Sequence, residues 1–454
     1  MAAASWDVLI VGAGPGGAMC ALSCARAGLR PLLLERNAAQ APRKPCIIEV
    51  EKSVFGRCGV PAPARADVVY AAKTTRIFSP SGKPAFHFRG HTACAVKIEK
   101  IAAQLLGLAR DAGATTRFGV TVRGPLLEGD RVVGVAAHDR RGRNLELRAR
   151  VVVDATGFDA ALVRQLPLQF GMDFVDRPGD RVWAEARYYD IDAKAARAAA
   201  EAGRFSPEDM QTQIGLQGGY SVRAFMVSLE RQFGYLLTGV KEDHQPPTAA
   251  DLADACARDL GCFKKLRHHG HGVIRIRRAG LRLVGPGFAA IGEAGGMVIP
   301  AHGSGVASAM LAGDSLGKRL GAIYARGSDA TTAALWPWAA DYMRDRGAVL
   351  ATYDANRRLL ESINTLRDLD PLFADGVVCA EDMLGAAEAA PLSFSLRSLP
   401  GRLGGAAKHP GAALKFAAGG PKILWVGRHW QNYPQTWDEA AFRKWEAEAM
   451  TLLP

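Results

Sequence analysis

The sequence runs to 454 residues, 48% of them apolar, with 57 Lys and Arg against 45 Asp and Glu and a net charge of +12. That is enough chain for two or three domains with a sizeable core, and the composition is that of a globular enzyme, read as cytoplasmic and without a signal peptide. Eight cysteines (20, 24, 46, 58, 94, 256, 262 and 379) form no CxxC pair, so neither a zinc ribbon nor a thioredoxin-type motif is supported and no metal is expected, and the basic runs lack the interleaved aromatics of a nucleic-acid module.

Residues 7–11, DVLIV, form a short apolar run that predicts a buried parallel strand. GAGPGG follows, with Gly12, Gly14 and Gly17 at GxGxxG spacing. A helix ending at Gly28 and a second strand, PLLLE, ending at Glu35 complete a βαβ unit. In such a unit the first glycine makes the tight turn, the second lets a pyrophosphate approach the backbone, and the third lets helix and strand pack closely. The helix N-terminus offers N–H groups to phosphates. Glu35, 18 residues beyond Gly17, can accept hydrogen bonds from an adenosine ribose, with Arg36 beside it. The whole predicts dinucleotide binding.

Residues 76–96 read as a β-hairpin turning at Ser81–Gly82, 97–113 as a helix, and 115–153 as short strands with turns at 128–130 and 141–142. Residues 151–153 are a strand, with a turn over Asp154, Ala155, Thr156 and Gly157 at its end. Residues 181–191 and 220–240 supply further strands, and TAADLADACARDL a helix. Another strand ends at Gly292–Glu293 and leads into residues 294–313, which hold no Asp, Glu, Lys or Arg. That length can span a bilayer. However, Gly295, Gly296, Pro300, Gly303 and Gly305 would break a lipid helix and leave backbone groups unsatisfied. The segment reads instead as a loop and a helix that starts after Ser304. Beyond Gly327 the apolar spacing is helical.

VGAGPGG, DATG, and GEAGG with a downstream P-x-x-G-x-G together resemble the FAD-binding set of the para-hydroxybenzoate-hydroxylase-like flavoproteins. The resemblance implies an α/β (α+β) fold. A Rossmann-type FAD-binding domain would comprise residues 1–75, 97–165 and 281–325. An inserted mixed-sheet substrate domain would comprise 76–96 and 166–280, and a helical C-terminal region 326–454. FAD is the implied cofactor, with Asp154 and Gly157 in its second motif. Glu293 stands where that family has a ribityl-binding Asp, and Lys97 where it often has Arg before a helix contacting FAD. Gly303 and Gly305 suit a backbone loop lying flat against the flavin, and the following helix N-terminus can stabilise the negative charge of the reduced ring. His302, in this loop, is a candidate to contact the ring or donate a proton; its alternative is a solvent-facing loop histidine.

Within that superfamily the glycine-rich stretch and the small-residue helix AMLAGDSLG are most similar to geranylgeranyl reductases, which use reduced FAD to saturate isoprenoid double bonds. KPCIIEV resembles their Lys-Pro-Cys-Gly-Glu loop, with Ile47 in place of the glycine. The resemblance implies Cys46 near the flavin, as proton source or substrate contact; the other reading is a small buried hydrophobe. Glu49 is a second candidate acid. The implied partners are an apolar or lipid substrate and an electron donor, either a reduced nicotinamide or a ferredoxin-type protein. Six tryptophans beyond residue 330, with an acid-free stretch at 389–437, suggest a peripheral membrane contact or an ordinary helical core. The basic run from Lys264 to Arg282 is a candidate site for a diphosphate or phospholipid head. The alternative chemistry is a monooxygenase (hydroxylase) or halogenase on the same fold. DATGFDAALV resembles the halogenases, whose W-x-W-x-I-P motif is absent.

Overall fold

The computed structural model describes residues 6–39, 47–72, 74–83, 85–89, 93–172, 177–216, 221–242, 246–363, 366–388, 390–392 and 398–453. The chain opens with β1 (Trp6–Val11), α1 (Pro15–Arg26) and β2 (Pro31–Glu35). Then come β3 (Ile47–Glu51), α2 (Ser53–Arg57), β4 (Val68–Tyr70), β5 (Thr74–Phe78), β6 (Ala85–Arg89), β7 (Ala93–Lys97), α3 (Ile98–Asp111), β8 (Thr115–Phe118), β9 (Val120–Glu128), β10 (Arg131–Asp139) and β11 (Asn144–Asp154). A second run contains β12 (Arg181–Ile191), α4 (Ala193–Glu201), β13 (Met210–Ile214), β14 (Ser221–Ser228), β15 (Phe233–Lys241), α5 (Ala249–Leu260), β16 (Phe263–Arg275), β17 (Val284–Gly285), β18 (Phe288–Ala290) and α6 (Val306–Ala325). The rest is helical: α7 (Thr332–Tyr342), a π-turn at Met343–Gly347, α8 (Ala348–Ile363), α9 (Leu366–Ala374), α10 (Ala380–Glu388), α11 (Leu399–Lys408), α12 (Pro410–Gln431) and α13 (Glu439–Leu452).

Three sheets organise these elements. In the first, β18, β11, β1, β2 and β8 run parallel in that order, with β17 antiparallel at one edge and the β9–β10 pair continuing antiparallel from β11. β1 reads as unbroken apolar sequence because both of its faces are covered. Val8 and Ile10 enter a core shared with α1, α3 and α6, while Leu9 and Val11 enter one beneath β9 and β10. The second sheet has the order β16-β12-β15-β14-β13-β5-β6, antiparallel except for β13 beside β5. The hairpin of β5 and β6 therefore leaves its sequence neighbours and joins strands more than a hundred residues away. The third sheet is small: β3-β7-β4.

β16 was not anticipated. Its sequence, FKKLRHHGHGVIR, shows no apolar alternation because most of it lies at an exposed sheet edge. Local chemistry does explain the helix starts nearby. The Asp192 carboxylate accepts from the N–H groups of Lys194 and Ala195 to begin α4, and Thr248 and Asp251 form a capping box for α5.

The small residues of α6 have a packing reason. Gly313, Gly317 and Gly321, four apart, lie against α1. A Cβ at Gly313 would sit 2.4 Å from the Gly16 carbonyl oxygen, and one at Gly317 would sit 2.5 Å from the Ser23 Cβ. The two helices run parallel, since Ala309 meets Gly16 at one end and Gly321 meets Ala27 at the other. Ser23 Oγ also donates to Asp314 Oδ1 at 2.6 Å. Both helix N-termini are thereby held at the same edge of the sheet.

Of the two readings open for the six C-terminal tryptophans, the helical core holds for four, while Trp425 is exposed. Trp336, Trp338, Trp430 and Trp445 are buried; Trp336 and Trp445 pack on Tyr433 and Phe442, Trp430 stands edge-on to Trp445, Trp338 lies beside Tyr342, and the Trp336 indole donates to the Pro434 carbonyl. They are core, for the ordinary reason that large aromatic surface is best removed from water. The basic run from Lys264 to Arg282 is not a contiguous phosphate site. Arg275, Arg278 and Arg282 are buried, Arg275 over the Phe158 ring at 4.0 Å and Arg282 over Trp437 at 4.4 Å, while Lys264 and Arg267 pair with Asp192 and Asp190.

A buried ionic cluster joins α8 to the second sheet. Asp354 accepts from Arg357, Arg358 and the Arg278 backbone N–H. Arg357 and Arg358 also reach Asp180, just before β12, and Arg357 reaches Glu361. No described helix is long and apolar enough to cross a membrane.

Candidate active site

The three motif turns meet at the C-terminal ends of β1, β11 and β18, where ligands bind in open parallel sheets. A Cβ at Gly12 would lie 2.4 Å from the Ala155 carbonyl oxygen, and Gly12 has a φ of 105°. A Cβ at Gly17 would lie 2.0 Å from the Gly12 carbonyl oxygen and 3.1 Å from the Ala155 Cβ. The Ile291 N–H donates to the Asp154 carbonyl at 2.9 Å, and the Ala155 N–H to the Val11 carbonyl at 2.9 Å. Gly292 leaves just enough room for Ala309 of α6.

α1 begins at Gly14 and Pro15, and α6 begins at Gly305, neither with a side-chain cap. The first-turn N–H groups of a helix have no acceptor within it. The two ends together thus offer donors and partial positive charge to anionic groups. Glu35 is buried, and its oxygens accept from the N–H groups of Ala13 and Asn37 at 3.0 Å each, which ties the glycine loop to β2. Arg36 is exposed and pairs with Asp159 at 2.8 Å. Gly157, with a φ of 74°, opens a short 3-10 turn, and a Cβ there would meet nothing within 4 Å. Glu293 lies in the turn Gly292–Gly295, and Lys97 is exposed at the junction of β7 and α3, opposite Ile47.

Asp154 is held by its own turn. It is wholly buried, and one oxygen accepts from the Thr156 N–H and hydroxyl while the other accepts from the Leu162 and Val163 N–H groups. A carboxylate has about four acceptor sites, so the turn itself takes them all. The Asp154 side chain thus shapes the DATG loop.

Across the 299–305 loop lies β3. The loop closes on itself through Ile299 N–H to Ser304 carbonyl and Gly303 N–H to Ile299 carbonyl, with Gly303 at a φ of 74°. Ile274, at the end of β16, borders Gly303. Ser304 Oγ donates to the Glu49 carbonyl at 3.1 Å. Glu49 Oε1 accepts from the Tyr70 hydroxyl at 3.3 Å, the Tyr188 hydroxyl reaches the Ile47 carbonyl at 3.4 Å, and Arg346, in the π-turn, pairs with Glu51 at 2.8 Å. Strand alternation puts Ile47, Glu49 and Glu51 on one face. β3 is thus pinned from the loop, from the second sheet and from the C-terminal helices. Cys46, the residue before it, lies outside the described residues.

Burial, with Glu49 beside it, pushes the Tyr70 hydroxyl well above the usual phenol range, so it keeps its proton. His302 retains a solvent-facing edge, but the protein crowded around its ring holds its pKa below the ordinary imidazole value. Glu49 and Glu51 oppose that shift, and Arg346 adds to it. The Ser304 N–H donates to His302 Nδ1 at 3.3 Å, which assigns the proton of the neutral ring to Nε2. Tyr235 lies between Tyr70, tilted at 5.5 Å, and Tyr188, stacked at 5.2 Å, with Phe233 and His268 at the Tyr188 ring. The sequence reading missed these aromatics; they come from separate strands, and only the sheet order assembles them. On the sheet's other face Glu185, His269 and His271 come together, but Arg187 already neutralises Glu185 at 2.7 Å and would repel a metal ion there.

A family model described as an FAD binding domain matches residues 5–184. The chain is 24% identical over 465 positions to the digeranylgeranylglycerophospholipid reductase of Sulfolobus acidocaldarius, covering 99% of this chain and 97% of that protein. Among solved structures, a geranylgeranyl bacteriochlorophyll reductase-like protein of Thermoplasma acidophilum superposes with a TM-score of 0.73 at 18% identity, covering 91% of this chain and 99% of that one. The chain is an FAD-dependent oxidoreductase that resembles the geranylgeranyl-reductase-like flavoproteins along its whole length. The fold of this reductase-like flavoprotein also extends to a flavin-dependent brominase, with a TM-score of 0.61 at 16% identity, 98% of this chain and 99% of that one being covered.

FAD is the cofactor, and the residues present fit it. Gly12 and Gly17 let the first two turns pack together, Gly157 leaves a side-chain-free approach, and two uncapped helix ends and a closed glycine loop offer backbone donors to an extended dinucleotide.

Proposed function

We propose that this flavoprotein saturates carbon–carbon double bonds of an isoprenoid or prenylated lipid. The observation that carries the reading is the end-to-end similarity to a digeranylgeranylglycerophospholipid reductase, which includes the second sheet as well as the FAD motifs. Residues 1–75, 97–165 and 281–325 would hold FAD, 76–96 and 166–280 would hold the substrate, and 326–454 would brace both.

In this reading Gly12, Gly14 and Gly17 take the pyrophosphate, Glu35 the ribose with Arg36 nearby, and Glu293 the ribityl chain. Lys97 and Gly157 border the cofactor, and Gly303 and Gly305 face its ring. Bound FAD, when reduced, supplies the hydride. The chain's share is to hold the alkene close, exclude water and deliver the proton. Tyr70, protonated and hydrogen-bonded to Glu49, and His302, with its Nε2 proton, are the described groups suited to that last task. Cys46 remains a further candidate from the sequence. A reduced nicotinamide or a ferredoxin-type protein would donate electrons.

The hydroxylase or halogenase alternative uses the same fold, and the products separate them. Incubation of the reduced enzyme with a prenylated lipid is expected to add about 2 mass units per double bond, whereas hydroxylation adds about 16. A lipid recovered unchanged, or one gaining oxygen or halogen, would remove the reductase assignment.

A further inference from the structure

Of nine large apolar side chains exposed among the described residues, five lie on α11 and α12: Leu399, Leu403, Leu414, Leu424 and Trp425. Leu414 is 72% exposed, Leu403 62% and Trp425 54%. They are not scattered. On α12, Leu414, Ala418, Pro421 and Trp425 are exposed and spaced four, three and four apart, so they share one helix face. On α11, Leu399, Leu403 and Ala407 repeat the spacing of four.

The other side of α12 is already occupied. Ile423, Val426 and Trp430 are buried, and Gly419 and Gly427 let the helix lie close to Leu359 and Thr352 of α8. α12 is therefore apolar on its outer face as well as its inner one, a pattern that a helix facing water does not need.

The charges beside the outer face have one sign. Lys415 and Lys422, seven residues apart, lie along the same flank, and Arg428 follows at the C-terminal end; all three are exposed. Lys415 also donates to the Ser362 carbonyl, and Lys408 of α11 pairs with Asp375. No Asp or Glu occurs from 389 to 437. A second copy of this chain would bring the same cations against themselves, since a two-fold interface meets its own patch. An anionic bilayer meets both features: hydrocarbon for the leucines and tryptophan, and negative headgroups for the lysines and arginine.

We propose that the outer face of α11 and α12 is a docking surface for an anionic lipid bilayer. Leu403, Leu414, Leu424 and Trp425 enter the headgroup–acyl boundary, and Lys422 and Arg428 rest on the headgroups. The proposal stands on the surface alone and not on the reductase reading. Vesicles free of prenylated lipid test docking without chemistry, so either reading can fail without the other.

The experiment is co-sedimentation of the full-length, FAD-loaded protein with phosphatidylcholine vesicles, with and without about 30% phosphatidylglycerol. Binding is expected only to the anionic vesicles and is expected to weaken as salt rises. The pairs Leu414→Ser/Trp425→Ser and Lys422→Glu/Arg428→Glu should each bind at least about tenfold more weakly while keeping FAD and the wild-type melting temperature. Failure of the wild type to bind, equal binding to neutral vesicles, or undiminished binding by both variants would overturn the proposal. So would a wild-type dimer that Leu414→Ser/Trp425→Ser dissolves, because the face would then belong to a second copy.

Discussion

At the scale of single residues, Gly17 has the least freedom. Its missing Cβ is what allows α1 to approach the Gly12 carbonyl, and a Cβ 2.0 Å from that oxygen has backbone, not a flexible side chain, to displace. Gly17→Ala should cost about 1–3 kcal/mol by overpacking and yield protein that purifies without its yellow colour. Full retention of the flavin absorption band would contradict this account of the turn. His302 makes a pH-dependent contribution. Its folded pKa is held below the ordinary value of about 6.5, so as the solution becomes acidic the unfolded chain takes up a proton before the folded chain does. Stability due to this group is complete above the unfolded value and is lost as pH falls through that value toward the folded one. His302→Gln should therefore gain on the wild type in denaturant melts as pH falls below about 6.5, and parallel pH profiles would dismiss the effect. Neither the Ser304 bond to Nδ1 nor the crowding that lowers this pKa is visible in the motif AHGSG.

At the scale of elements, the buried cluster on α8 decides how the C-terminal helices meet the second sheet. Burial alone would push the Asp354 carboxyl upward, but Arg357 and Arg358, with the Arg278 N–H, hold it below the usual carboxylate range. Its contribution is present above the unfolded carboxyl value and is lost as pH falls through the folded one. Asp354→Asn removes one of the two buried carboxylates that neutralise Arg357 and Arg358 and should cost about 3–5 kcal/mol at neutral pH, read from urea unfolding. A variant within 1 kcal/mol or so of the wild type would show that the cluster merely tolerates burial. Here the sequence was only partly legible. RIRRAG read as part of a basic run suited to a phosphate and NRRLLES only as part of a helix, because nothing local announces that Asp180 and Asp354 lie between them. β16 was missed for a related reason. An edge strand with one wet face carries Lys, Arg and His where a central strand carries Val and Ile. β1, β2 and β11 were plain because burial on both faces dictates their composition.

At the scale of the molecule, the cofactor is a structural component as well as a reagent. The three turns come from residues 12–17, 154–157 and 292–305, and backbone hydrogen bonds and small side chains link them. Protein stripped of FAD should melt at a lower temperature. Adding FAD at about a hundred times its Kd should restore about 2.7 kcal/mol by mass action. A melt unmoved by FAD would mean that the cradle does not select the folded state. The bracing of β3 by Tyr70, Tyr188, Ser304 and Arg346 draws on parts of the chain nearly three hundred residues apart. Its integrity therefore reports on the whole fold.

The sequence by itself determined the dinucleotide cradle. Glycines at fixed spacing after apolar strands are demanded by local sterics, and local sterics are written locally. It also showed a helix of small residues after Ser304, although that its partner is α1 came only from the structure. Only the tertiary structure decided which charges are buried, which tryptophans are core and which aromatic rings stand beside β3. Those outcomes depend on what lies across a sheet or helix face, and the partners there are distant in the chain.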